Sequence, residues 1–243
     1  MSKFLASVRN LQQARLAATA GADLIDLKAP EQGSLGALPC EEVAEIVRAL
    51  RGVRPISATV GDLPMEPGSV TQAVAEMLQT GVDFVKIGIT RDGEFRATLR
   101  ELAKFSARGP GLIAVFFVDL GILPVPVESV AAFGFRGCML DTFDKSGGSL
   151  TTHLRVADLR RFVDAVLRQG LLCGLAGSLG VEDIPLLAPL GANYLGFRGA
   201  LCRRSIRTAE LDATRVVRIA ERLRRNATES AATAEPEAIE GVV

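Results

Sequence analysis

The chain has 243 residues, 48% hydrophobic and 23% charged, enough for one large domain with a sizeable core. Its formal net charge is zero, which removes any electrostatic argument for gripping nucleic acid or an acidic membrane. No apolar run reaches the roughly 18 residues of a membrane span, and the first residues lack the apolar stretch and cleavage site of a signal peptide.

Phe4 to Val8 reads as the first strand, and Asn10 caps a helix through Leu11, Ala14 and Ala18 that Gly21 closes. Leu24 to Lys28 is the second strand. It is followed by a Pro/Gly loop from Ala29 to Ala37 and a helix over Cys40 to Leu50. Strand three is Pro55 to Val60, with a loop at Gly61-Asp62-Leu63-Pro64 and a helix over Ser69 to Thr80. Strand four, Phe84 to Ile87, precedes a helix over Glu94 to Ser106. Strand five is Leu112 to Val118, and a loop punctuated by Pro124 and Pro126 leads to a short helix over Val127 to Phe133. Strand six is Gly137 to Leu140, ending at Asp141. The polar glycine loop Asp144 to Ser149 then leads to a helix over Val156 to Gln169. Strand seven, Leu171 to Leu175, is followed by Ala176-Gly177-Ser178 and a helix over Ile184 to Leu190. Strand eight is Asn193 to Phe197, then comes Arg198-Gly199-Ala200, and a last helix spans Asp212 to Arg224.

Strands that are continuous apolar runs, alternating with helices, mark a parallel sheet covered on both faces. Eight such units with no break in composition point to an α/β chain folded as a single (β/α)8 TIM barrel over residues 1–225. No G-x-G-x-x-G follows the first strand, so a dinucleotide-binding sheet has no support. Residues 226–243 turn to Ala, Thr, Glu and Ser, have little to bury, and are expected to form a disordered tail.

Arginine outnumbers lysine by 23 to five, and the lysines are Lys3, Lys28, Lys86, Lys104 and Lys145. Three of them sit at or just past expected strand ends. An amine can lose its proton and attack a carbonyl, whereas a guanidinium cannot. Cys40, Cys138, Cys173 and Cys202 are widely spaced with no C-x-x-C pair, which reads as free thiols in a reducing cytoplasm. His153 is the sole histidine, so an imidazole-rich metal site is not expected, although His153 alone could still act as an acid or base.

A barrel collects the C-terminal ends of its strands on one face. There Lys28, Lys86 and Asp141 end strands two, four and six. Asp26 lies one pleat below Lys28, and Lys145 sits in the loop above strand six. Two lysines in a partly dry pocket repel each other and lower an amine pKa, which favours a Schiff base on one lysine and proton transfer by the other. The bland alternative is that Asp26–Lys28 and Asp141–Lys145 are ion pairs closing the barrel mouth. A second group, Gly177 and Ser178 with Arg198 and Gly199, matches the loops that commonly hold a phosphate after strands seven and eight. Ser34 and Gly36 after strand two are candidates for a second phosphate grip. Thr59, lining the end of strand three, is a further candidate for binding the substrate or its phosphate; Asp62 lines the same end, and Asp119 that of strand five, where structural or solvent roles are equally open. The expected partner is a small phosphorylated carbonyl compound. No interface is readable, though barrels of this size also associate as homo-oligomers.

The run Leu24-Ile25-Asp26-Leu27-Lys28-Ala29-Pro30-Glu31-Gln32-Gly33-Ser34-Leu35-Gly36-Ala37 resembles (5-formylfuran-3-yl)methyl phosphate synthase, also called 4-(hydroxymethyl)-2-furaldehyde phosphate synthase. So do Ser57 to Asp62, Phe84 to Gly88, Met139 to Thr142, Leu175 to Leu179 and Phe197 to Cys202, in the same order. The resemblance implies a barrel lyase, cleaving carbon–oxygen bonds to phosphate, that condenses two molecules of glyceraldehyde 3-phosphate with loss of phosphate and water. Its product would become the furan ring of a methanofuran-type C1 carrier. It further implies that Lys28 forms the Schiff base and Lys86 accepts a proton, with Asp26, Asp141 and Lys145 assisting and no cofactor needed. A Schiff-base aldolase of the deoxyribose-phosphate type shares the lysine pair and the phosphate loops. A non-catalytic barrel is the remaining reading.

Overall fold

The computed structural model describes residues 1–106, 110–121 and 125–232. Eight strands close into one parallel barrel: β1 Lys3–Val8, β2 Leu24–Leu27, β3 Ile56–Thr59, β4 Phe84–Gly88, β5 Gly111–Phe117, β6 Gly137–Asp141, β7 Leu172–Leu175 and β8 Tyr194–Phe197. Every expected strand is present within one residue at either end. β1 pairs with both β2 and β8, so no sheet edge is left for another chain to extend.

Helices cover the outside: α1 Leu11–Thr19, α2 Cys40–Leu50, α3 Pro67–Gln79, α4 Phe95–Ser106, α5 Val127–Ala132, α6 Leu150–His153, α7 Val156–Arg168, α8 Ile184–Leu187 and α9 Ala213–Ala232. Asn10 caps α1 as expected, its side chain accepting the Gln13 N–H at 2.9 Å. α6 was not foreseen, because its four residues are too few to show a period. The helix expected over Ile184 to Leu190 is α-helical only to Leu187 and continues as a 3-10 turn over Ala188–Leu190. There Pro189 has no N–H to give the α ladder. α9 runs through Ala232, so residues 226–232 are helical where a disordered tail was expected. The rest of that tail, and Pro124, lie outside the described residues.

Two apolar layers result from strand alternation. The outward side chains, among them Ile25, Leu27, Val85, Ile87, Leu140 and Leu195, pack under the helices. The inward ones, Leu5, Leu24, Val115, Phe117, Met139 and Ala176 with Phe84, Ile113 and Tyr194, plug the barrel. Met139 fills the space that two glycines leave. A Cβ on Gly174 would meet its Cγ at 3.1 Å, and one on Gly196 would meet its Cε at 3.1 Å. This plug is the floor on which the polar inward residues stand.

Candidate active site

Above the plug the same inward positions carry charge. Alternation puts Ser7, Asp26, Ser57 and Lys86 inward, and strand pairing sets Ser7 and Ser57 on either side of Asp26. Asp26 is wholly buried. Its carboxylate accepts from the hydroxyl of Ser7 at 2.8 Å, the hydroxyl of Ser57 at 2.6 Å and the ammonium of Lys86 at 2.9 Å. Burial alone would push the Asp26 carboxyl up. Lys86, Lys28 and the Ser57 hydroxyl together more than offset that and hold it below the usual range.

Lys28 stands one step past β2, 5% exposed. Its ammonium has no hydrogen bond and no carboxylate at ion-pair distance among the described residues. The Asp26–Lys28 ion pair of the bland alternative is therefore not formed, and the partner of Asp26 is Lys86. Burial pushes the Lys28 amine down to about 8, against the attraction of Asp141 and Asp26. The cause also differs from the expected one. Desolvation dominates, and repulsion from Lys145 and Lys86 is the smaller contribution. Asp141 ends β6 and bonds Lys145 at 2.6 Å, as the sequence allowed. Lys145 also donates to the Thr142 carbonyl.

A cavity of about 280 Å³ opens over these groups, lined by Ser7, Lys28, Lys86, Asp141 and Lys145 and by the loops after β7 and β8. In those loops Gly177 has φ 110° and Ser178 φ 49°, a left-handed pair that turns the chain across the strand end. A Cβ on Gly177 would lie 3.0 Å from the Thr142 nitrogen, so only glycine lets loops six and seven touch. The N–H groups of Ser178, Leu179, Gly199 and Ala200 donate to no protein acceptor among the described residues. Unpaired amides in residues that line a cavity are the makings of an anion cradle.

Four sequence candidates fall outside this cradle or are otherwise engaged. The Arg198 guanidinium lines the cavity but donates to the carbonyls of Arg207, Ser7 and Ala209 and to the Gln13 side chain. Four of its five N–H groups are thus spent on holding the fold. Ser34 does not reach the cavity, because its hydroxyl bonds the Thr142 carbonyl at 2.9 Å. Gly36 packs against the loop itself, where a Cβ would lie 2.2 Å from the Ala29 oxygen. Thr59 is covered by that loop and donates to the Gly36 carbonyl at 2.9 Å. The second phosphate grip is thus a clasp that closes the loop after β2. Asp62 completes it by accepting the N–H groups of Ser34 and Leu35. Asp119 does the same for the loop after β6, accepting from the N–H groups of Phe143 and Asp144. His153 lies in α6 away from the cavity lining.

The structure adds residues that sequence reasoning passed over. Ser7 and Ser57 were legible in principle as hydroxyls at inward positions of β1 and β3 that pair directly with an inward aspartate. Glu182, Ser205 and Arg207 also line the cavity, but they come from irregular loops with no period to mark them.

A family model described as 4-HFC-P synthase matches residues 4–220. A protein of Methylorubrum extorquens, provisionally named a (5-formylfuran-3-yl)methyl phosphate synthase, is 44% identical over 91% of this chain and 92% of its own. The (5-formylfuran-3-yl)methyl phosphate synthase of Methanopyrus kandleri is 38% identical over 89% and 96%. Among solved structures the barrel is similar to TrpF from Jonesia denitrificans, with TM-score 0.67, 15% identity and 93% and 98% of the two chains covered. It is also similar to phosphoribosyl anthranilate isomerase from Thermus thermophilus, with TM-score 0.65, 20% identity and 93% and 99% covered. At such identities the structural likeness speaks for the fold alone.

Proposed function

The chain belongs to the (5-formylfuran-3-yl)methyl phosphate synthase family, and from that premise we propose that it condenses two glyceraldehyde 3-phosphate molecules through a Schiff base on Lys28. The observation that carries the reading is the Lys28 amine itself: buried, unpaired, and pushed down to about 8 on the floor of a cavity whose rim offers free amides to a phosphate. At pH 7 an amine of pKa 8 is about one-tenth neutral, roughly 300-fold more than an ordinary lysine.

The neutral Lys28 adds to the carbonyl of one triose phosphate. Loss of water from the adduct needs a proton, and the Lys86 ammonium, held in place by Asp26, supplies it and becomes a neutral amine. Lys86 then takes the proton from the adjacent carbon, and that C–H electron pair moves toward the imine nitrogen to give an enamine. The enamine carbon bonds to the carbonyl carbon of the second triose, whose C=O π bond opens to an oxygen that takes the proton held by Lys86 and becomes a hydroxyl. Elimination of one phosphate and two waters, with ring closure, balances two C3 phosphates against one C6 furan aldehyde phosphate. Hydrolysis of the imine frees Lys28. Asp141 with Lys145 stands beside Lys28 to pass protons during the eliminations. Breaking the carbon–oxygen bond to phosphate places the reaction among lyases, and the product fits the furan ring of a methanofuran-type carrier.

Borohydride trapping with glyceraldehyde 3-phosphate, followed by peptide mapping, tests this. The expected adduct is on Lys28 and absent from Lys28→Ala, with furan absorbance and inorganic phosphate appearing in the untrapped reaction. An adduct without phosphate release would favour an aldolase. No adduct and no phosphate from folded protein would overturn the proposal.

A further inference from the structure

The cradle made by the loops after β7 and β8 has amides but needs a cation to match a phosphoryl dianion, and Arg198 is engaged elsewhere. Arg207 is placed to supply it. It lines the cavity, and its guanidinium donates one N–H to the Gly33 carbonyl at 2.8 Å. Its other four N–H groups have no protein acceptor among the described residues. It is half-buried, and Asp141 and Asp62 are close enough to attract it. One anchored N–H with a free edge is the geometry that suits bidentate binding of phosphate.

The segment carrying it is built to hold still. From Arg203 to Glu210 the chain forms a strap after β8, closed by the Cys202–Leu211 bridge and the Arg203 N–H to Glu210 carbonyl bond at 3.0 Å. Arg204 and Ser205 are both left-handed, φ 55° and 59°, a conformation that costs a non-glycine residue and persists only where the surroundings enforce it. Arg9 donates to the Thr208 carbonyl at 3.0 Å. Arg198 donates to the carbonyl of Arg207 itself at 2.7 Å. Thus the arginine that the sequence singles out supports the backbone of the one that faces the cavity.

We propose that Arg207 is the side chain that binds the phosphoryl group of the substrate, opposite the amides of Ser178, Leu179, Gly199 and Ala200. The inference rests on the triose phosphate reading only for the identity of the substrate; phosphate binding by Arg207 stands on its own. A merely structural Arg207, tying the strap to the loop after β2, would matter equally for substrates with and without phosphate.

The test uses the full chain and two probes. Glycerol 3-phosphate, which has no carbonyl, reports phosphate binding by calorimetry. Unphosphorylated glyceraldehyde with borohydride reports the amine of Lys28. Arg207→Gln is expected to weaken glycerol 3-phosphate at least 10-fold and to change glyceraldehyde trapping less than twofold, while Arg207→Lys recovers part of the loss. Unchanged glycerol 3-phosphate affinity, or equal losses with both probes, overturns the proposal. If glycerol 3-phosphate binding depends on Arg207 but glyceraldehyde 3-phosphate yields no furan and no phosphate, Arg207 stands and the furan synthase reading falls.

Discussion

Replacing Lys28 by methionine should stabilise the protein at neutral pH while abolishing trapping. The side chains are of similar length, and methionine leaves no buried charge. In the unfolded chain the Lys28 amine holds its proton up to about 10.5, in the folded chain only up to about 8. Between those values unfolding takes up a proton, so stability rises with pH. Below about pH 8 the penalty for burying the ammonium is fully present. At about 1.4 kcal/mol for each pH unit, the fall from 10.5 to about 8 corresponds to about 3 kcal/mol. That figure is net of the attraction from Asp141 and Asp26. For a domain of this size it corresponds to about 6–12 °C in Tm. Thermal unfolding of both proteins, followed by circular dichroism from pH 6.5 to 10.5, checks it. The gain of Lys28→Met should be greatest at pH 7 and shrink to nothing toward pH 10.5, since all other titrating groups are common to both. A variant less stable than wild type at pH 7, or a difference that does not change with pH, would refute the claim that Lys28 is a strained, desolvated amine.

Asp26→Asn leaves the Lys86 ammonium buried without its carboxylate and should cost about 3–5 kcal/mol in urea unfolding. It should also slow phosphate release by 10²-fold or more, and restored stability in Asp26→Asn with Lys86→Met would confirm that the loss is electrostatic. Because the folded Asp26 and Asp141 carboxyls lie below their usual value near 3.8, the stability they confer is complete above that pH. It is lost as pH falls through the folded values, so Asp26→Asn should flatten the acid limb of the wild-type stability curve. Glu182 lines the cavity, and its carboxylate lies against Gly180, where a Cβ would meet Oε1 at 2.0 Å. It opposes an incoming phosphate, so Glu182→Gln should lower KM for the triose phosphate several-fold at low salt with kcat unchanged. Gly177→Ala should cost about 1–3 kcal/mol, read from the urea midpoint, because it combines φ 110° with a Cβ 3.0 Å from the Thr142 nitrogen.

How much of this was legible depends on whether a residue sits in a periodic element. The strands are apolar runs whose ends are set by Gly, Pro and charge, and all eight were placed within a residue. Alternation then assigns Asp26, Lys86 and Asp141 to the interior from their spacing alone. What alternation cannot give is the pairing across strands. Asp26 is two residues from Lys28 in sequence but bonds Lys86, 60 residues away, because β2 and β4 pair on either side of β3 and turn the two side chains toward the same interior. The residues at and around the loop after β2 meet a related limit. Ser34, Gly36 and Thr59 have the composition of a phosphate grip, and glycine with a hydroxyl is equally the composition of a tight backbone clasp. Only the placement of Asp62 and Thr142 decides between them. Arg198 and Arg207 present the same ambiguity in a chain with 23 arginines. The buried one spends four of its five N–H groups on three backbone carbonyls and Gln13, and the one in the irregular strap spends only one, on Gly33. Lysine stood out in the sequence because it was scarce, so each lysine at a strand end needed a chemical reason. Arginine served everywhere as surface charge, and an arginine with a site role could be separated from the rest only by counting its hydrogen bonds.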